Sequence, residues 1–89
     1  MKAFITVLGR DKVGIIAGVS ALLAEQNVNI EDISQTILKD NFTMIMRVDA
    51  TYAKSDFDAL AEMLTETGEK LGVLINLRHE DIFNAMHRI

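Results

Sequence analysis

The sequence predicts an α+β fold in which two helices cover one face of a four-stranded antiparallel sheet. Four segments alternate apolar and polar side chains as strands do, and two longer segments show the apolar spacing of helices. Their order is β-α-β-β-α-β, with a short helix at the C-terminus. Right-handed crossovers place both longer helices on the same face of the sheet, which is the ferredoxin-like arrangement.

The first predicted strand and helix occupy the N-terminal third of the chain. Residues 2–8 alternate in the manner of a strand with one well-buried face. From Val13 the apolar residues follow helical spacing to about Asn27. Gly18 lies inside this helix, where it costs about 1 kcal/mol relative to Ala. We therefore interpret it as a point of close packing against another element.

The remaining strands comprise a hairpin and one later segment. Residues 30–38 and 42–49 alternate around the polar turn 39–41, which is the pattern of a β-hairpin. Residues 73–78 form the fourth predicted strand.

The second helix has signals at both of its ends. Ser55 is its predicted N-cap, with Asp58 completing an acidic variant of the capping box. Gly72 stands where a helix commonly ends. Glu80 or Asp81 is expected to cap the terminal helix. Its apolar side chains are Ile82, Phe83, Met86 and Ile89.

One face of the predicted sheet is left without a covering helix layer. That face carries Phe4 and Leu8 among polar residues. Because an apolar surface facing water is unfavourable, we expect the terminal helix, a second subunit, or both to cover it. The terminal helix therefore either packs on its own sheet or contributes to a dimer interface.

Composition restricts the classes of function. The 89 residues suit one domain, 1–89, and contain no cysteine, which excludes disulfides and thiolate metal sites. The net charge is −4 and the basic residues are scattered, which argues against direct binding of nucleic acid. No apolar run approaches the roughly 20 residues of a membrane span. The N-terminal segment is interpreted as a strand rather than a signal peptide, so we expect a cytoplasmic protein without membrane attachment.

The turn Gly9-Arg10-Asp11-Lys12-Val13-Gly14 is the strongest candidate site. It leads from a strand into a helix N-terminus, where free N–H groups and the positive end of the helix dipole favour a carboxylate or phosphate. Gly14 allows close approach to the backbone. Asp11 has two open interpretations, as a partner for a ligand's ammonium group or as a helix N-cap.

The same residues resemble a known family. The stretch Ile5 to Ile15, followed by Asn27-Val28-Asn29-Ile30 and a hairpin, resembles the ACT domain, a regulatory module of amino-acid metabolism. The resemblance extends from Lys2 to about Arg78. The chain looks like the small stand-alone ACT proteins of bacteria and archaea, and it is also similar to the ACT units of the glycine cleavage system repressor.

The resemblance implies a dimer that binds an amino acid between subunits. The implied ligand-binding residues are Gly9, Asp11, Gly14, Ile15, Asn29 and Ile30. Asn29 also has a simpler interpretation, in which it satisfies local backbone groups. The family turn usually reads Asp-Arg-Pro-Gly, whereas this chain has Lys12-Val13 and no proline, so we expect a less rigid turn.

Other chemistry is less well supported. His79, Glu80, Asp81 and His87 offer nitrogen and oxygen donors, but no two histidines stand at the i, i+4 spacing, so no metal site is predicted. No serine has a nearby histidine, and no phosphate-binding loop is present. We therefore predict a non-enzymatic protein without a cofactor.

The leading hypothesis is a dimeric regulatory module for a small ligand, possibly an amino acid, that acts on a partner protein. The alternative is an assembly module that has lost the ligand.

Overall fold

The predicted order of elements is confirmed in the computed structural model, which describes residues 1–86. The described part of the chain forms a sheet with strand order β2-β3-β1-β4, and all neighbouring strands are antiparallel. The elements are β1 (Lys2–Arg10), α1 (Ile15–Glu25), β2 (Asn29–Leu38), β3 (Asn41–Asp49), α2 (Phe57–Leu71), β4 (Val73–His79) and α3 (Glu80–Met86).

The strand register divides the side chains between two faces of the sheet. Ile5 pairs with Met46 of β3 and with Leu77 of β4, so these three side chains point toward the same face. That face packs against α1 and α2 and forms the core. Burying one such side chain contributes about 1.5–3 kcal/mol. The fully buried core residues with large side chains are Ile5, Val7, Ile15, Val19, Leu23, Met44, Met46, Val48, Leu60 and Leu64.

Helix α1 begins two residues later than the sequence predicted. Its N-cap is Gly14, with φ of 99°, so Val13 lies outside the helix and is fully exposed. The interpretation of Asp11 as the N-cap is wrong, because Asp11 stands three positions before the cap residue, Gly14. Instead, the Asp11 amide donates to the carbonyl of Asp40 at 2.8 Å and joins the turn to the β2–β3 hairpin.

The cap of α2 also differs from the prediction. The N-cap is Asp56, whose side chain accepts a hydrogen bond from the Ala59 amide at 2.8 Å. Ser55 stands one residue too early, and its hydroxyl donates to the Gln26 side chain at 2.8 Å. The predicted end of α2 at Gly72 is confirmed. Capping therefore follows the residue that directly precedes the first helical turn.

Close packing between the helices explains the glycine within α1. A Cβ atom on Gly18 would lie 3.0 Å from Cδ1 of Leu71 in α2. The two helices thus approach one another at a residue without a side chain, as the sequence predicted.

Helix α3 covers part of the open sheet face. The ring of Phe83 stacks on the ring of Phe4 with centroids 4.2 Å apart. Nε of Arg47 in β3 donates to Oε1 of Glu80 at 2.9 Å, which fixes the start of the helix. Leu8 on the same face remains 44% exposed. The expected cover from the terminal helix is therefore observed for Phe4 only. Ile89 lies outside the described residues.

Candidate functional site

The turn between β1 and α1 lies at one end of the sheet, beside the β2–β3 hairpin. Its residues Asp11 to Gly14 are all exposed. The bond from the Asp11 amide to Asp40 ties the first part of the turn to the hairpin. The turn is thus held at its start and open toward solvent along its length.

Gly14 presents the amino end of α1 to solvent. Its carbonyl accepts the first helical hydrogen bond, from the Gly18 amide at 2.9 Å. The amides of Ile15, Ile16 and Ala17 therefore lie in the first turn, where a helix offers no acceptor. No side chain in the described part of the chain caps this end. Nothing lies within 4 Å of the position that a Gly14 Cβ would occupy, so an anion has free access.

Two other residues of the turn have a structural use. A Cβ on Gly9 would lie 2.7 Å from Cγ1 of Val73, so packing within the sheet accounts for this glycine. The ammonium of Lys12 lies over Gly72, 2.9 Å from the position of a Cβ there. It thereby stands at the C-terminal end of α2, where the helix dipole favours a cation.

Asn29 and Ile30 lie at the opposite end of the sheet from this turn. Asn29 pairs with Asp49, at the same end as Lys2, whereas Arg10 pairs with Asn41 at the turn end. At about 3.3 Å per residue, the two ends are roughly 25 Å apart. One chain therefore brings Gly9, Asp11, Gly14 and Ile15 together, but it does not bring them to Asn29 and Ile30.

A cavity of about 250 Å³ adjoins Asn29. The Asn27 side chain donates to the Tyr52 carbonyl at 3.0 Å and links the end of α1 to the segment after β3. The lining residues are Ala24, Asn27, Val28, Asn29, Asp49 and Tyr52. Sequence analysis did not identify Asn27 or Tyr52 as site residues. The one available signal was an Asn just after a helix, a position that favours the left-handed backbone found here, with φ of 60°.

The carboxylate of Asp49 is held in its charged form beside this cavity. Hydrogen bonds from the hydroxyl and the amide of Thr51 lower the pKa of Asp49 to about 2. Its other oxygen lies 3.4 Å from Nζ of Lys2. The pKa of Lys2 is in turn raised, chiefly by its hydrogen bond to Glu31. These charges form an ion-pair network on the open face of the sheet.

The histidine and acidic residues near the C-terminus serve other contacts. The ring of His79 stacks on Phe57 with centroids 4.1 Å apart, and Glu80 accepts from Arg47. His87 lies outside the described residues. Within residues 1–86, no group of three or more His, Cys, Asp or Glu side chains is arranged to hold a metal ion. None of the helices in that range is long and apolar enough to span a membrane.

The sequence of this chain is similar to one family model and to several curated relatives. The family model described as ACT domain matches residues 2–78. A UPF0237 protein of Clostridium acetobutylicum is 56% identical over 89 residues, which cover 100% of both chains. A UPF0237 protein of Methanocaldococcus jannaschii is 52% identical over 88 residues, covering 99% of this chain and 98% of the relative.

Solved structures show the same fold. An ACT domain protein from Streptococcus pneumoniae superposes with a TM-score of 0.82 at 48% identity, covering 98% of each chain. A putative glycine cleavage system transcriptional repressor superposes with a TM-score of 0.70 at 23% identity. That match covers 86% of this chain and 44% of the repressor, and it shows a shared fold.

Proposed function

The chain belongs to the ACT domain family, and from this premise we propose that it is a non-catalytic regulatory module that binds an amino acid between two copies of itself. ACT domains are typically small-molecule regulatory modules. The observation that supports the proposal here is the separation of the two predicted half-sites. Because roughly 25 Å separates them in one chain, a single ligand can contact both only across two chains.

Strand β2 is the surface that favours such a pairing. It pairs only with β3 within the described residues, so its outer edge has unpaired N–H and C=O groups. The strand spans ten residues, and all eight that follow Ile30 are exposed. Ile33 and Ile37 point toward the helix side and remain exposed, as does Ile16 of α1. A second copy would remove these side chains from water and stabilise the dimer.

Antiparallel pairing of two β2 strands would unite the half-sites. In a two-fold arrangement the beginning of one strand lies opposite the end of the other. The end of β2 leads into the hairpin turn whose Asp40 carbonyl binds the Asp11 amide. Asn29 of one copy would then approach the Asp11–Gly14 turn of the second copy. Two equivalent sites would form in each dimer.

The chemistry of the composite site suits an α-amino acid. The free amides at the start of α1 bind a carboxylate, and Asp11 binds an ammonium group. The second copy contributes the Asn29 side chain and the backbone of Ile30, which supply further donors and acceptors. Gly14 permits the ligand to approach the helix end, and Gly9 keeps the preceding strand close to β4.

Equilibrium dialysis against each of the common amino acids tests the proposal directly. A ligand at a hundred times its Kd stabilises the folded state by about 2.7 kcal/mol, so a thermal-shift measurement provides a second readout. We expect at least one amino acid to bind, with one ligand per chain. The proposal is wrong if no amino acid binds and none shifts the unfolding temperature.

Mixing two inactive variants tests whether the site is shared between chains. Asp11→Ala and Asn29→Ala should each abolish binding in the pure dimer. In a refolded equal mixture, half of the dimers contain one of each chain, and each of these has one intact site. Binding should return to about one quarter of the wild-type sites. No recovery in a mixture that does form mixed dimers would contradict a shared site.

A second candidate function is an assembly module that does not bind a ligand. The fully exposed Val13 favours this alternative, because an apolar side chain at the centre of the turn suits contact with a protein. This function predicts a stable dimer whose unfolding temperature no amino acid changes. It also predicts that Val13→Ser weakens capture of a protein partner, whereas Asp11→Ala has no effect.

A further inference from the structure

We propose that the cavity beside Asn29 receives the side chain of the bound amino acid and selects neutral, hydrogen-bonding side chains over acidic ones. The inference rests on the proposed function, since it concerns the selectivity of that same site. It assigns a specificity role to Asn27, whose side chain is held by the Tyr52 carbonyl and which lies outside the six residues of the predicted ligand site.

The position of the cavity supports this assignment. Asn29 belongs both to the ligand half-site and to the wall of the cavity. A ligand whose backbone groups lie between Asn29 and the turn of the second copy can therefore direct its side chain into this space. The volume of about 250 Å³ accommodates a side chain of a few heavy atoms.

The lining of the cavity is partly apolar and partly made of amides. Ala24 and Val28 supply apolar surface, and Val28 is almost completely buried. Asn27 uses one N–H group on the Tyr52 carbonyl, which leaves its carbonyl oxygen and its second N–H group for a ligand. An amide or a hydroxyl on the ligand can therefore find both a donor and an acceptor.

The charge at Asp49 argues against an acidic side chain. Its carboxylate lines the cavity and stays ionised, because Thr51 donates two hydrogen bonds to it. A second carboxylate in the same space would be repelled.

A cationic side chain also lacks a ready partner. The Oδ1 atom of Asp49 already accepts from Thr51, and Oδ2 lies against the ammonium of Lys2. The N-terminal ammonium of Met1 lies 3.8 Å from Oδ1. Lys2 also binds Glu31, so the two positive charges are matched by two carboxylates and no unmatched charge is left to attract a charged ligand. Neutral side chains therefore fit best.

Isosteric amino acids provide the test. Equilibrium dialysis of the wild-type protein compares asparagine with aspartate, glutamine with glutamate, and threonine with valine. Each pair has nearly the same shape and differs in charge or in hydrogen bonding. We expect the neutral polar member of at least one pair to bind about tenfold or more tightly than its isostere.

Variants of the cavity identify the residues responsible. Asn27→Gly removes the amide side chain at a backbone φ of 60°, which glycine adopts without strain. Asn27→Ala removes the same amide but is strained there, so the two variants should lose selectivity equally while differing in stability. Glu66→Gln, on the exposed side of α2, is the control that leaves the ratio unchanged.

The possible outcomes separate the two proposals. If amino acids bind but each pair binds equally, or if Asn27→Gly retains the wild-type ratios, the cavity does not determine selectivity and the inference is wrong. The proposed function would stand in that case. If no amino acid binds at all, the proposed function fails, and the assignment of the cavity fails with it.

Discussion

Replacing Gly68 by alanine should destabilise the protein although it improves helix propensity. Gly68 lies inside α2, where alanine contributes up to about 1 kcal/mol relative to glycine. A Cβ at this position would lie 2.7 Å from the carbonyl oxygen of Val73 and 3.1 Å from Cγ1 of Ile75. The oxygen belongs to the backbone of β4, so α2 and β4 must separate. Overpacking of this kind costs about 1–3 kcal/mol.

With the full helix gain set against this cost, Gly68→Ala should lose up to about 2 kcal/mol of unfolding free energy. In a domain of this size, that upper value lowers the unfolding temperature by about 15 °C. Urea unfolding followed by circular dichroism measures the free energy and shows whether the m-value is unchanged.

Gly18→Ala is the matched control, since it adds the same methyl group to the interior of the other long helix. Its Cβ would lie 3.0 Å from Cδ1 of Leu71, the flexible end of a partly buried side chain. Because Leu71 can move without displacing backbone, the stability should stay within about 1 kcal/mol of the wild type. The reasoning is refuted if Gly68→Ala is as stable as Gly18→Ala.

Three further predictions concern the helix ends and the open face. Asp56→Ala should lower the unfolding free energy by about 1 kcal/mol through loss of the α2 cap, whereas Asp56→Asn should retain most of it; thermal unfolding compares the two. Because the folded pKa of Asp49 is about 2 and its ordinary value is 3.8, the stability it contributes is complete above the ordinary value and is lost as the pH falls toward 2. Asp49→Asn and Thr51→Val should both flatten acid unfolding curves in that range, and an unchanged curve would contradict this role. Phe83→Ala removes the stack on Phe4, so hydrogen exchange in α3 should accelerate while exchange in the core strands stays slow.

Periodicity predicted the fold well because it depends on the division between buried and exposed faces. The alternation in residues 2–8 became β1 with its inward residues fully buried, and Gly72 ended α2 as predicted. Such patterns arise within one element, because its buried side chains repeat at the period of a strand or a helix. They predict the elements and their order without knowledge of distant contacts.

The helix starts were harder to predict because several adjacent residues can cap a helix. Ser55 and Asp56 are both good N-cap types, and only the backbone path determines which side chain reaches the Ala59 amide. At α1, Asp11 has a side chain of a good N-cap type, but its position is fixed away from the helix start by the hydrogen bond from its amide to the Asp40 carbonyl. That contact joins residues far apart in sequence, so periodicity gave no indication of it.

The candidate site was expected to combine the turn of one subunit with the start of the second strand of another, and within one chain these two parts lie at opposite ends of the sheet. The sequence order does not show that α1 carries the chain from one end of the sheet to the other before Asn29. The cavity was missed for a related reason. Its wall combines the end of α1 with the segment after β3, and the bond from Asn27 to Tyr52 links them.

A proline at position 13 would not lie within α1, contrary to the expectation from the sequence. A proline at the position of Val13 was expected to set the first helical φ, but α1 begins at Ile15 and Gly14 is its cap. Residue 13 therefore precedes the helix and does not define its first backbone angle. The turn is instead restrained by the Asp11–Asp40 bond at its start and by the cap geometry of Gly14 at its end. The first helical φ therefore does not depend on residue 13, and the expectation of a less rigid turn stays a prediction.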